Sequence, residues 1–248
     1  MAWVIDLDGV VWLGKTPIPG AANAVARLRA TGQRVVFVTN NSSVRIADQE
    51  EKLASVGIEA EGDVISSALA AASMLEAGSS AVVFGGPGVV EALEARGVDA
   101  RREGPADAVV VGLDRDFDYQ RLKVAQWALA DGARLIGTNE DPTFPSPDGP
   151  IPGAGAFLAA VATAGGVEPE VAGKPHPPMV ALVRAMVGDE DLTVVGDRVT
   201  TDGLLAVRLG ARFALVLSGV TKEVDPGVEP EPDIVFADLA ELVAAELG

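Results

Sequence analysis

With 248 residues, of which 48% are hydrophobic and 22% charged, the chain can bury a substantial core and reads as folded rather than disordered. Its net charge of −17 argues against nucleic acid or an anionic membrane as a partner, since both need clustered Lys and Arg; a locally positive pocket for a small anion stays compatible with it. The absence of cysteine excludes disulfides, thiolate catalysis and cysteine-based metal centres, and without a signal-like or membrane-length apolar stretch the expected location is cytoplasmic.

The first expected element is the strand in MAWVIDLDGVVW, which runs into two carboxylates, Asp6 and Asp8, and then Gly9. AANAVARLRATG follows as a helix in which Ala21, Val25 and Leu28 share a face and Gly32 is the stop. VVFV (35–38) is a Val-rich strand ending in TNNSS (39–43), whose polar side chains suit the N-cap of a helix beginning near Val44. Strands AVVF (81–84) and AVVV (108–111) come next. The helix DYQRLKVAQWALADG then places Leu122, Ala125 and Leu129 on one face, with Gly132 as its stop, before the strand RLIG (134–137). Two proline-dense stretches, 141–157 and 165–178, are expected to be loops or linkers. LTVV (192–195) leads into GDRVTTD (196–202), and FALVL (213–217) is the last strong strand. This alternation predicts an α/β fold built on parallel sheet.

In such a sheet, ligands bind beyond the carboxyl ends of the strands. Asp6 and Asp8, Thr39 with the amides after it, and Asp197 with Asp202 all follow strands, while Lys174 lies in a rigid GKP loop between them. Together they suit phosphoryl transfer. Hard oxygens from Asp6 and Asp197 match Mg2+, which contacts substrate phosphate and screens it from an attacking carboxylate. Asp6 could attack phosphorus, and Asp8 could protonate the leaving alcohol and then activate water. Thr39, nearby main-chain N–H groups and Lys174 would hold the non-bridging oxygens. Taken singly, each segment also has a plain structural reading: a turn at Asp6–Gly9, a helix cap at 39–43, a surface lysine, an exposed acidic turn at 197–202.

The motifs DLDGVVW, TNNSS, GKPHPP and GDRVTTD, in this order, resemble the four motifs of the haloacid-dehalogenase-like (HAD) superfamily of phosphatases. PIPGA, FDYQRLKVA, GTNEDPTFP and IPGAGAF narrow the resemblance to subfamily IIA, the NagD-like and p-nitrophenyl phosphatase branch, over nearly the whole chain. It implies a doubly wound parallel-sheet, Rossmann-like core, residues 1–63 and 166–248, with an inserted α/β cap of the C2 type at 64–165. Asp6 would be the nucleophile and Asp8 the acid/base, with the Asp8 carbonyl on Mg2+. Thr39, Asn40 and Lys174 would bind phosphate, and Asp197 would ligate the metal with Asp202 supporting it. Glu140, Asp141, Thr143 and Phe144 lie in the cap loop expected to select a small phosphorylated metabolite. Subfamily members often pair through their caps, so a homodimer is a further expectation. One departure is Thr200, where the family usually has an acid.

Two other phosphate motifs fall short. FGGPGVVEALEARG offers Gly86 and Gly88 but has Glu91 at the third position of a dinucleotide fingerprint, so a tight turn in the cap is the better reading than a nicotinamide site. The GK at 173–174 lacks the first glycine and the Ser/Thr of a P-loop. His176, the single histidine, is read as a loop residue, with substrate contact as the alternative. Trp3, Trp12 and Trp127 are read as packing, Trp12 beside the acidic pair. A phosphate or nucleotide sensor that keeps the pocket without turnover is the alternative function that Thr200 favours.

Overall fold

Ala2–Asp6 is buried throughout, and parallel strands flank it on both sides, Leu192–Gly196 on one and Arg34–Thr39 on the other. The register sets Val4 beside Val194 and Val36, and Ile5 beside Val195 and Phe37. Such unbroken apolar runs are what a parallel sheet covered on both faces requires. The computed structural model describes residues 1–144 and 149–248, so part of the first predicted proline-rich loop, 145–148, lies outside the described residues. Two compact units emerge: Met1–Thr39 with Ala47–Ile65 and Val180–Gly248, and Asn40–Ile46 with Ser66–Met179.

The first unit holds a six-stranded sheet in the order Ile234–Phe236, Arg212–Val216, Leu192–Gly196, Ala2–Asp6, Arg34–Thr39, Val64–Ser66. The chain winds outward from the central strand in one direction and later returns to its other side. That makes the gap between Ala2–Asp6 and Leu192–Gly196 the topological switch point, where α/β sheets bind ligands. The predicted helix forms as Ala21–Ala30, burying Ala21, Val25 and Leu28, and packs against Leu239–Leu247. That last helix is capped at its start: Asp238 accepts the Glu241 N–H at 2.9 Å, and Glu241 accepts the Ala237 N–H at 2.8 Å.

The second unit has its own parallel sheet, ordered Glu170–Val171, Arg134–Gly137, Ala108–Val111, Ser80–Phe84, Asp99–Arg101. Its core gathers Val82, Phe84, Val109, Val111, Leu135, Leu158 and Val161 with Ala125 and Leu129 of the helix Tyr119–Ala130. Gly137 and Gly165 let that core close, because a methyl group at either would collide with Leu158 or Leu129. Trp127 is a correction: it is 58% exposed, on the helix face opposite Ala125 and Leu129, with the Lys123 ammonium 5.0 Å from its ring centroid.

A largely buried charge pair lies in the same unit. Arg121 lies over the Phe84 ring, donates to the Val83 and Arg102 carbonyls, and reaches Asp114 Oδ2 at 3.3 Å. Asp114 is 6% exposed. Asp114→Ala would remove the counter-charge of the guanidinium and should destabilise the unit by about 3 kcal/mol, read from urea unfolding. Among the described residues, no helix is long and apolar enough to cross a membrane.

Candidate active site

Asp6 closes the central strand, and Asp197 follows directly on the neighbouring one after Gly196. Asp202 comes from a short π-helical turn, Val199–Gly203, in which the Asp202 and Gly203 N–H groups both turn back to the Arg198 carbonyl. Within this wide turn Asp202 is buried while Thr200, the departure from the family pattern, faces solvent. Asp6, Asp197 and Asp202 are all buried, and each offers a carboxylate oxygen within 4.8 Å of the others.

Three buried carboxylates this close repel by about 3 kcal/mol per pair at an effective dielectric of roughly 20. Main-chain N–H groups offset part of that. Val220 donates to Asp197 Oδ2, and Arg198 donates to Asp202 Oδ2 at 3.2 Å. Glycines make the approach sterically feasible: a methyl at Gly9 or Gly219 would run into the Asp197 carboxylate, and one at Gly196 into Asp202. Gly9 also has φ +94°, a left-handed conformation natural to glycine, and its carbonyl accepts the Ser218 hydroxyl at 2.6 Å. An all-oxygen, anionic donor set of this kind fits a hard divalent cation.

Asp8 lies at the same rim, half-buried. Its Oδ1 accepts the indole N–H of Trp12 at 3.0 Å. The Lys52 ammonium sits 3.6 Å from the Trp12 ring centroid and donates to the Gly14 carbonyl at 3.0 Å. Burial draws the Lys52 pKa below its usual value, and the negative charge of Asp8 partly opposes that. Thr39 is buried at the carboxyl end of its strand.

Asn40 and Lys174 belong to the second unit, where they meet. Asn40 Oδ1 accepts the Lys174 N–H at 2.8 Å, and its Nδ2 donates to the Lys174 carbonyl at 3.3 Å and to Asp141 Oδ2 at 3.0 Å. Gly173 permits this contact, since a methyl there would strike Asn40 Oδ1 and the Thr138 carbonyl. The Asn40 amide is therefore engaged with the lysine backbone, and Lys174 itself is buried. Glu140 Oε1 lies 3.0 Å from His176 Nε2, so both cap-loop acids have partners within the unit. Thr143 and Phe144 pair with Pro152 and Ile151 in a two-stranded hairpin, and Glu170–Val171 joins the sheet edge, so the two proline-dense stretches are not loop throughout: proline is tolerated where a strand needs no donor from it.

Sequence reasoning missed three contributors: Gly219 and Ser218, which follow the strand Arg212–Val216, and Trp12 as a partner of Asp8 rather than packing alone. The only sequence signals were a Ser-Gly at a strand end and an indole four residues after the second acid. The GGPG segment is structural. Methyl groups at Gly86 and Gly88 would collide with the main chain of 42–44, and Glu91 accepts the Ile46 N–H at 3.1 Å.

Comparison with known proteins matches residues 3–99 to the haloacid dehalogenase-like hydrolase family and 171–242 to a HAD-hydrolase-like family. An acid sugar phosphatase of Staphylococcus saprophyticus is 34% identical over 98% of this chain and 96% of its own length. The p-nitrophenyl phosphatase from Archaeoglobus fulgidus superposes with a TM-score of 0.92 at 33% identity, covering 98% of each chain. The glycerol phosphate phosphatase of Mycobacterium tuberculosis, solved in complex with magnesium, gives 0.89 at 35% identity, over 97% of this chain and 75% of that one. Both units are α/β with a parallel sheet, in keeping with these neighbours. The chain belongs to the haloacid dehalogenase-like hydrolases, in the NagD-like subfamily IIA, and is a phosphoric monoester hydrolase.

Proposed function

We propose that the protein hydrolyses a small organic phosphate monoester with Mg2+ and an aspartyl-phosphate intermediate on Asp6. The observation that carries this reading is the buried cluster of Asp6, Asp197 and Asp202 at the switch point, with Asp8 at the same rim. Asp6 and Asp197, with the Asp8 carbonyl, would hold the ion, and Asp202 would support Asp197. Bound Mg2+ would supply positive charge that offsets repulsion between the carboxylates and the phosphate dianion.

In the first step an Asp6 oxygen attacks phosphorus, the bond from phosphorus to the ester oxygen breaks, and Asp8 gives its proton to the departing alkoxide. In the second, Asp8 takes a proton from water, whose oxygen attacks phosphorus and frees the Asp6 carboxylate and inorganic phosphate. Thr39 and the main-chain N–H of Asn40 are assigned to the non-bridging oxygens. Lys174 is assigned to the same anion, with Asn40 holding its peptide in place. Glu140, Asp141, Thr143 and Phe144 remain the proposed selectors of the alcohol portion. With Asp141 held by Asn40 and Glu140 by His176, we assign them to binding hydroxyls rather than a second phosphate.

Hydrolysis of p-nitrophenyl phosphate tests the reading. Activity should require Mg2+, fall to background with EDTA and return when Mg2+ is restored. Binding of phosphate analogues without phosphate release would instead favour the sensor reading.

A further inference from the structure

The Trp12 side chain is 1% exposed, and an indole N–H at that depth needs an acceptor. Its acceptor is the Asp8 carboxylate, 3.0 Å away. The main chain holds the two residues in register: the Trp12 N–H donates to the Leu7 carbonyl at 3.2 Å, and the Gly9 N–H donates to the Trp12 carbonyl at 2.6 Å. Neither residue can turn without breaking this ring of bonds. Over the face of the indole lies Lys52, fixed by the Gly14 carbonyl. A cation over the ring face withdraws electron density and makes the N–H a stronger donor.

We infer that Trp12, backed by Lys52, is a positioning residue for the proton-transfer role of Asp8. The inference rests on the phosphatase reading above. The indole N–H anchors Oδ1 and fixes the plane of the carboxyl group. A donor at Oδ1 also directs the proton of the acid form to Oδ2, so the acid meets the leaving oxygen with its proton on a defined atom. The anchored group is Asp8 and not Asp6, so loss of the anchor should weaken protonation of the leaving group and spare the attack on phosphorus.

That division gives a readout which a purely structural role would not move. Nitrophenolate departs as a stable anion, whereas the alkoxide of glycerol phosphate needs a proton. The parameter kcat/KM reports events only through departure of the alcohol, which isolates the step in question. Trp12→Phe keeps a ring under Lys52 and removes the N–H. It should lower kcat/KM for glycerol phosphate about tenfold to thirtyfold and for p-nitrophenyl phosphate less than about threefold. Lys52→Met leaves the buried indole in place and should shift the same ratio by about threefold in the same direction.

Equal losses on both substrates, or no loss on either, would overturn the role of Trp12 while leaving the phosphatase reading intact. A wild type without metal-dependent turnover on either ester would overturn both. If Trp12→Phe does not fold, by circular dichroism, Lys52→Met decides: an unchanged ratio refutes the inference and a shifted one supports it.

Discussion

Asp6→Asn should abolish turnover, by at least about ten-thousandfold, while leaving the fold intact. The amide has nearly the shape of the carboxylate but is a poor nucleophile, so the proposed covalent intermediate should not form. Electrostatics adds a second expectation. Removing one of three mutually repelling buried carboxylates relieves two pairs, each worth about 3 kcal/mol before screening. The metal-free variant should therefore melt no lower than the metal-free wild type, by calorimetry, and gain less from added Mg2+ than the wild type does. Retained turnover would dismiss Asp6 as the nucleophile. A variant that unfolds would show that the cluster stabilises the metal-free protein, contrary to the repulsion argument.

Gly219→Ala is the second large effect, and it acts without removing any ligand. The added methyl would occupy the space of the Asp197 carboxylate, with Cβ 2.6 Å from Cβ of that residue. Backbone and carboxylate cannot both stay in place, so Asp197 should tilt away from Asp6 and Asp202. Mg2+ affinity should fall about tenfold to hundredfold, as when groups that orient metal ligands are altered. A Mg2+ titration of activity reads this as a shift in midpoint, with turnover partly recovered at saturating metal. An unchanged midpoint would separate Asp197 from metal binding.

Strands and helices were legible because their signals are local. Runs such as VVFV and AVVV need only their own residues to declare a buried parallel strand, and Arg34–Thr39 and Ala108–Val111 formed accordingly. The acids were legible because each follows such a run, and the structure gathers Asp6, Asp197 and Asp202. What was not legible depends on contacts between distant segments. Asn40 and Lys174 are bonded across a sequence separation of 134, and no pattern within either motif states that the amide grips the lysine peptide. Gly219 looks like any turn glycine until Asp197 is packed against it. Trp127 misled for the opposite reason: an aromatic in a helix suggests core, but the helical phase that buries Ala125 and Leu129 turns it outward.

The central strand of the core sheet is contributed by the first residues of the chain, yet one of its two flanking strands is Leu192–Gly196. On a ribosome making roughly 5–20 residues each second, Ala2–Asp6 waits about ten to forty seconds for that neighbour. Through that interval the second unit, all but seven of whose residues form the continuous stretch Ser66–Met179, can complete its own sheet. Asp6 therefore exists long before the carboxylates that gather around it. A nascent chain carries Asp6 without Asp197 or Asp202, so competence for catalysis arrives late, when the final third of the polypeptide has emerged.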